Sequence, residues 1–320
     1  MADPSFEELI NKYCFVPNRA LGQNFLVSRR AVFNIAEQLD LSASDNVLEI
    51  GAGTGQLTRE LANRAGHVIA VELDRRLEPL LKSYLQDFVV QDASGGKSDL
   101  ENVIGQDASF CKEKENHTVE IIWSDVLKVD LRALLKMQGL DARNVKIAAN
   151  LPYYATTDIM LKLFTELPES PKMVLMVQRE AVSRIAARPG SKQYGPLAVL
   201  ASLYGEVKTV MKLSPQMFWP QPAVGSTLLA LTAGKNSLLR DTISGTGFAD
   251  FLIYVFQHRR KQFWGRLRRE GKFEQFPDLE DKLSDFMRQN GLNTDFRIED
   301  LQPEQLLDLY VVTDKTDSLS

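Results

Sequence analysis

Asn150-Leu-Pro-Tyr153 sets an amide, a rigid turn and an aromatic ring directly after an apolar run, and each residue type has a chemical use. The exocyclic amine of a purine is a poor nucleophile because its lone pair is delocalised into the ring. Two oxygens that accept its hydrogens out of the ring plane localise that pair toward an electrophile. Such contacts favour the transition state over the ground state. The Asn150 side-chain oxygen and the carbonyl of Leu151 or Pro152 are the acceptors on offer. Proline fixes the turn that aims them, and Tyr153 supplies a face for a flipped-out base. A plain strand-to-loop turn with packed rings is the bland alternative, and it leaves this order of residue types unexplained. No general base is needed beforehand, because the cationic product loses its proton easily.

A second set of residues reads as a nucleoside cradle. Gly51, Gly53 and Gly55 link a strand pattern to a helix pattern and let the backbone approach a ligand. Their G-x-G-x-G spacing departs from the G-x-G-x-x-G that seats a pyrophosphate on a helix N-terminus. Glu72 ends the next strand pattern, where an acid accepts hydrogen bonds from both ribose hydroxyls. Ser124-Asp125 follows the third, where a carboxylate receives the amine of an adenine. Taken singly, each acid reads as a solvated strand end. At consecutive strand C-termini they predict an adenosine without a pyrophosphate, and S-adenosyl-L-methionine fits best.

The elements that must position these groups are legible as patterns. Apolar runs at 46–50, 67–72, 119–123, 145–149 and 173–177 suit strands buried on both faces, and helical patterns lie between most of them. Alternation at this spacing predicts a doubly wound α/β sheet. A helix near 195–204 leads to runs at 207–213 and 226–232, an antiparallel hairpin that completes seven strands. Residues 92–118 are polar and without a period, an insertion between the second and third main strands. Residues 233–247 read as a linker. Beyond it, helical patterns cover 248–267, then 278–291 with an Asn290-Gly291 stop, then 303–312. The expected organisation is a catalytic domain over 1–235 and a small all-helical domain over 246–320.

The net charge of −4 conceals two opposed regions. Residues 86–120 carry a local −5, whereas residues 251–275 carry +5 from Arg259, Arg260, Lys261, Arg266, Arg268, Arg269 and Lys272 against Glu270 and Glu274. One basic face is enough to bind nucleic acid on an acidic chain. Cys14 and Cys111 are far apart, and His67, His117 and His258 lack ligand spacing, so neither a disulfide scaffold nor a metal is expected. The N-terminus lacks the layout of a secretory signal and no apolar run spans a bilayer. The expectation is a cytoplasmic protein without a membrane partner.

With these residues in view, the sequence resembles the bacterial small-subunit rRNA adenine N6,N6-dimethyltransferases. The resemblance rests on Leu21-Gly-Gln-Asn-Phe-Leu26, Glu49-Ile-Gly-Ala-Gly-Thr-Gly55, Asn150-Leu-Pro-Tyr153 and Pro215-Gln-Met-Phe-Trp-Pro-Gln-Pro222. It extends through Gln257-His-Arg-Arg-Lys-Gln262 and Asp295-Phe-Arg-Ile-Glu-Asp-Leu301. It implies a Rossmann-like class I methyltransferase sheet and S-adenosyl-L-methionine as donor. The implied reaction is methyl transfer to N6 of two adjacent adenosines in a hairpin loop near the 3′ end of small-subunit rRNA. The implied setting is a pre-ribosomal 30S particle, and the chain is expected to act as a monomer. By matching positions, cofactor contacts fall on Asn24, Leu26, Gly51, Gly53, Glu72, Asp125 and Asn150. Asn150, Leu151, Pro152 and Tyr153 would hold the base with Phe218 as a second stacking ring, and Arg259, Arg260, Lys261 and Arg266 would meet RNA phosphates. Three features depart from the family: the long span from Glu72 to Asp125, Gly225 where aspartate is common, and the weakly basic Phe15-Val-Pro-Asn-Arg19. A large-subunit rRNA methyltransferase of the macrolide-resistance kind more often carries Ile after the motif Asn and Phe at its end. A non-catalytic RNA-binding factor and a dehydrogenase are the remaining alternatives, the latter disfavoured by the glycine spacing.

Overall fold

The structure, a computed structural model, describes residues 6–92, 117–234 and 247–314. The insertion read at 92–118 and the linker read at 233–247 lie, but for their ends, outside the described residues. The chain forms two units: Met1–Lys162, Glu169–Ala181 and Val207–Ala233 make the first, and Leu163–Pro168, Val182–Glu206 and Gly234–Ser320 the second.

Among the described residues there are ten strands, nine wholly in the first unit and one, Gly205–Leu213, that enters it from the second. They are β1 Phe25–Leu26, β2 Asn46–Ile50, β3 His67–Glu72, β4 Val89–Asp92, β5 Thr118–Trp123, β6 Val145–Asn150, β7 Lys172–Gln178, β8 Gly205–Leu213, β9 Phe218–Trp219 and β10 Ser226–Ala233. Eight make one sheet in the order β4-β5-β3-β2-β6-β7-β10-β8. The parallel pairs fix the register: Ile50 faces Val71 on one side and Ala149 on the other, while Glu72 faces Trp123. The C-terminal ends of β5, β3, β2 and β6 therefore emerge together. The order reverses at β2, whose neighbours β3 and β6 lead in opposite directions, and ligands bind at such a switch point. β10 runs antiparallel to β7, with Thr227 opposite Val177, and β8 lies outside it. The seven anticipated strands are present. The eighth, β4, extends the sheet beside β5, with Val90 opposite Val119. Its Val-Val pair was too short to signal a strand beside the polar segment that follows.

Helices α1 Phe6–Lys12, α2 Arg29–Leu39, α3 Gln56–Ala62, α4 Glu78–Tyr84, α5 Leu131–Met137, α6 Thr156–Glu166 and α7 Arg179–Ile185 intervene. Ser28 caps α2 through the Ala31 amide, and Ala31, Val32, Ile35, Ala36 and Leu39 form its buried stripe. Val47, Leu48 and Ile50 of β2 are at most 1% exposed. Burial of each such side chain stabilises the fold by about 1.5–3 kcal/mol. A separate ribbon pairs β1 with β9, Phe25 opposite Trp219 and Leu26 opposite Phe218.

The second unit contains α8 Pro196–Tyr204, α9 Phe248–Phe256, α10 Phe263–Arg269, α11 Lys272–Gln275, α12 Pro277–Asn290 and α13 Pro303–Asp314. α12 ends on Gly291 with φ +63°, the left-handed residue expected there. The pattern at 248–267 is not one helix: it breaks between Phe256 and Phe263. There Arg259 donates to the carbonyls of Tyr194 and Lys192, and Gln262 bridges to Arg297.

Candidate cofactor and base site

The C-terminal ends of the four central strands open into one cleft. Gly51, Gly53, Glu72, Asp125, Asn150, Leu151, Pro152 and Tyr153 all line it, with Asn24 on the segment that crosses it. Gly51, Gly53 and Gly55 all have positive φ, which side chains rarely adopt. A Cβ on Gly53 would lie 3.2 Å from the Phe25 ring, so the turn needs glycine for space as well as for backbone angle.

Glu72 is 7% exposed, and burial raises the pKa of its carboxyl. Three backbone amides, those of Asp74, Gly53 and Leu73, oppose that rise. Gly53 N–H donates to Oε2 and Asp74 N–H to Oε1, each at 2.8 Å. These amides fix the carboxylate in place and leave it acceptor capacity toward the cleft. Asp125 caps its own turn by accepting from the Leu127 amide at 3.0 Å.

The Asn150 amide is oriented by its environment: Nδ2 donates to the Asn24 carbonyl at 3.1 Å, which leaves Oδ1 as an acceptor. The neighbouring carbonyls differ in a way the sequence left open. Pro152 O accepts from the Ala155 amide at 3.2 Å and from the Thr156 hydroxyl at 2.9 Å, which fills both of its lone pairs. That leaves Leu151, anchored by its own N–H to the Met176 carbonyl at 3.1 Å, as the residue of this turn whose carbonyl is the candidate second acceptor. The Tyr153 ring lines the cleft and its hydroxyl lies 2.8 Å from the Ser226 hydroxyl, which holds the ring plane. Tyr154 also lines the cleft and is 60% exposed.

Several anticipated residues are placed differently. Phe218 is buried in the core at 4% exposure, paired with Leu26 on the ribbon, and is not among the residues lining the cleft. Its ring is engaged in packing. Leu26 reaches a smaller pocket that shares Phe25, Gly51, Gly53 and Asn150 with the main cleft. Arg259 is tied to two carbonyls and to Glu299 at 3.6 Å. Arg266 is 4% exposed and lies over the rings of Tyr254 at 4.9 Å and Phe263 at 5.4 Å, with Glu270 at 3.6 Å. The Arg266 guanidinium is therefore turned away from solvent, whereas Arg259 is half-buried with its donors engaged. A planar cation packs well against aromatic faces, and a charge count along the sequence does not register that option. Arg260 and Lys261 are exposed. Sequence reading missed Gln23, which lines the cleft between Gly22 and Asn24. At Gly225, a Cβ would meet the Leu213 carbonyl at 2.8 Å and the Arg179 guanidinium at 2.9 Å, so the space of the family's aspartate is filled.

A positive-φ glycine turn, a buried acid fixed by backbone amides and a second acid one strand further fit an adenosyl cofactor without a pyrophosphate. Together with the parallel sheet reversing at β2, they define a class I, S-adenosylmethionine-dependent methyltransferase. The sequence pattern of one family, ribosomal RNA adenine dimethylase, matches residues 15–93 and 102–315. The chain belongs to that family, and is an S-adenosylmethionine-dependent rRNA adenine dimethyltransferase. A relative in Halothermothrix orenii, described as ribosomal RNA small subunit methyltransferase A, is 33% identical over 300 residues, covering 93% of this chain and 89% of the relative. One of the same description in Alkaliphilus oremlandii is 36% identical over 258 residues, 80% of this chain and 78% of the relative. Among solved structures, a dimethyladenosine transferase from Plasmodium falciparum shares the fold. Its TM-score is 0.63 at 21% identity, over 91% of this chain and 98% of that one.

Proposed function

We propose that the chain dimethylates N6 of two adjacent adenosines in a hairpin loop near the 3′ end of small-subunit rRNA, in the cytoplasm, on a pre-ribosomal 30S particle. The description of its relatives as small-subunit methyltransferases supports that choice of rRNA. Leu151 and Tyr153, in place of the Ile and Phe of the macrolide-resistance enzymes, support it as well. The observation that carries the reading is the pair of acceptors at Asn150 Oδ1 and Leu151 O, selected because Asn150 Nδ2 and Pro152 O already have partners.

The bound cofactor supplies an electrophilic methyl group on a positively charged sulfur. Glu72 receives its ribose hydroxyls and Asp125 its adenine amine. Tyr153 stacks the target base once it has left its helix. Asn150 Oδ1 and Leu151 O accept the two N6 hydrogens and turn the lone pair out of the ring plane. The same acceptors stabilise the positive charge that builds on nitrogen, so they act most strongly in the transition state. After one methyl has been added, a single N–H remains and one acceptor is enough to hold it, so the site admits a second transfer.

The test is incubation of the protein with labelled methyl donor and undermethylated small subunits, followed by mapping of the product. Label is expected on two neighbouring adenosines of the small-subunit rRNA. Label confined to large-subunit rRNA would overturn the assignment. RNA contact in the second unit is assigned to exposed Arg260 and Lys261. Neutralising both is expected to lower the slope of log affinity against log salt by about 1–2 units. An unchanged slope would place the phosphate contacts elsewhere. Arg259→Ala, by contrast, is expected to lower the melting temperature, because the carbonyls of Tyr194 and Lys192 lose their donor.

A further inference from the structure

The segment that crosses the cleft is held by one side chain that no cofactor contact explains. Gln23 Oε1 accepts from the Asn18 amide at 2.7 Å, and Gln23 Nε2 donates to Asp74 Oδ2 at 2.7 Å. Asp74 is 7% exposed, and its own N–H donates to Glu72 Oε1. On the other side of Gln23, Asn24 Nδ2 donates back to the Gly22 carbonyl at 3.0 Å, and the Asn24 carbonyl receives Asn150 Nδ2. A chain of polar contacts thus runs from the ribose acid, through Asp74 and Gln23, to the amide that meets the base.

We propose that Gln23 is a positioning residue whose bridge from Asn18 to Asp74 latches the crossing segment so that the Asn24 carbonyl holds the Asn150 amide with its oxygen toward the base. This inference rests on the proposed function above. Gln23 touches neither reacting atom. It acts by fixing the backbone of residues 22–24, and a displacement of the reacting groups by about 1 Å can cost on the order of a hundredfold in rate. The amide side chain is suited to the task because it accepts at one end and donates at the other. Alanine loses both bonds. Glutamate keeps the acceptor but, when ionised, turns a carboxylate toward Asp74. When protonated it regains the donor and restores the same two bonds. The charged groups facing this position are Asp74, Glu72 behind it, and Arg76, which already holds Asp74 through its backbone and guanidinium.

The experiment compares wild type, Gln23→Ala and Gln23→Glu in two ways. Methyl transfer to undermethylated small subunits is measured at saturating donor and RNA from about pH 8 to about pH 5.5. Amide hydrogen exchange of residues 18–26 is measured in the cofactor-free protein over the same range. The expected result is a kcat at least about tenfold lower for Gln23→Ala, with faster exchange confined to that segment. Gln23→Glu should match alanine at the upper pH, then recover at least about fivefold relative to wild type at the lower pH as the shared proton returns. Unchanged exchange, a kcat within about twofold of wild type, or a glutamate variant that fails to recover would each overturn the latch. If wild type itself transfers no methyl to small subunits, the functional reading fails, and the exchange data alone then decide whether the latch exists.

Discussion

Asn150→Ala is expected to lower kcat for methyl transfer by about 10²–10³-fold, the scale of removing one preorganised contact to developing charge. Two effects act together in this variant. Oδ1 disappears as an acceptor for N6, and the Asn24 carbonyl loses the Nδ2 donor that ties the crossing segment to the end of β6. Cofactor affinity should fall much less, because Glu72, Asp125 and the glycine turn are untouched and Glu72 keeps its backbone-amide donors. Asn150→Asp retains an acceptor but turns an oxygen toward the Asn24 carbonyl, so its rate should lie between wild type and alanine. Donor binding by calorimetry and single-turnover methylation separate the two contributions. Equal losses of binding and rate would show that Asn150 merely holds the cofactor.

Glu49→Gln is expected to stabilise the protein at alkaline pH by an amount of the order of 3 kcal/mol, with little effect at acidic pH. Glu49 is fully buried on β2, and neither carboxyl oxygen has a hydrogen-bond partner among the described residues. The Thr58 hydroxyl on α3 is near enough to ease ionisation slightly without making a well-formed bond. Burial, reinforced by the charge of Glu72, pushes the Glu49 pKa from 4.5 up to about 8. Unfolded, the carboxyl releases its proton near 4.5; folded, it keeps the proton until about 8. Between those values the native state binds more protons, so stability is greatest below the lower one and declines until the upper one is passed. Glutamine carries no such proton, so the two proteins should converge near pH 5 and diverge as pH rises. Denaturant melts at four pH values would show this. Parallel curves would mean that Glu49 ionises freely in the folded protein.

The buried acid and the oriented amide show how differently the parts of this site were legible. The acid of the Glu49-Ile-Gly block was visible as part of a motif, but its isolation was not, because it depends on what α3 lays over β2. For Asn150 the motif named the chemistry, and the choice between Leu151 and Pro152 waited on Thr156, whose hydroxyl closes back on the proline carbonyl. The placement of Arg259 and Arg266 was illegible for a related reason. A run of basic residues implies a positive face if all point outward, whereas here Arg266 is buried against aromatic rings and the half-buried Arg259 is spent on backbone carbonyls.

What the sequence determined by itself was local: apolar runs that make strands, glycines that make the turn, and acids and an amide at strand ends. Backbone preference and side-chain type act over a few residues, so they can be read along one dimension. The family blocks added the reaction and the cofactor by resemblance. The tertiary structure alone decided which strands lie side by side, and hence that Gly51, Glu72, Asp125 and Asn150 share one edge. It also decided that residues 22–24 cross that edge and that Gln23 reaches Asp74, 51 positions away. Contacts over such separations form when the chain collapses around its core, where burial and polar satisfaction are settled for all groups together, and no short stretch of sequence carries that outcome.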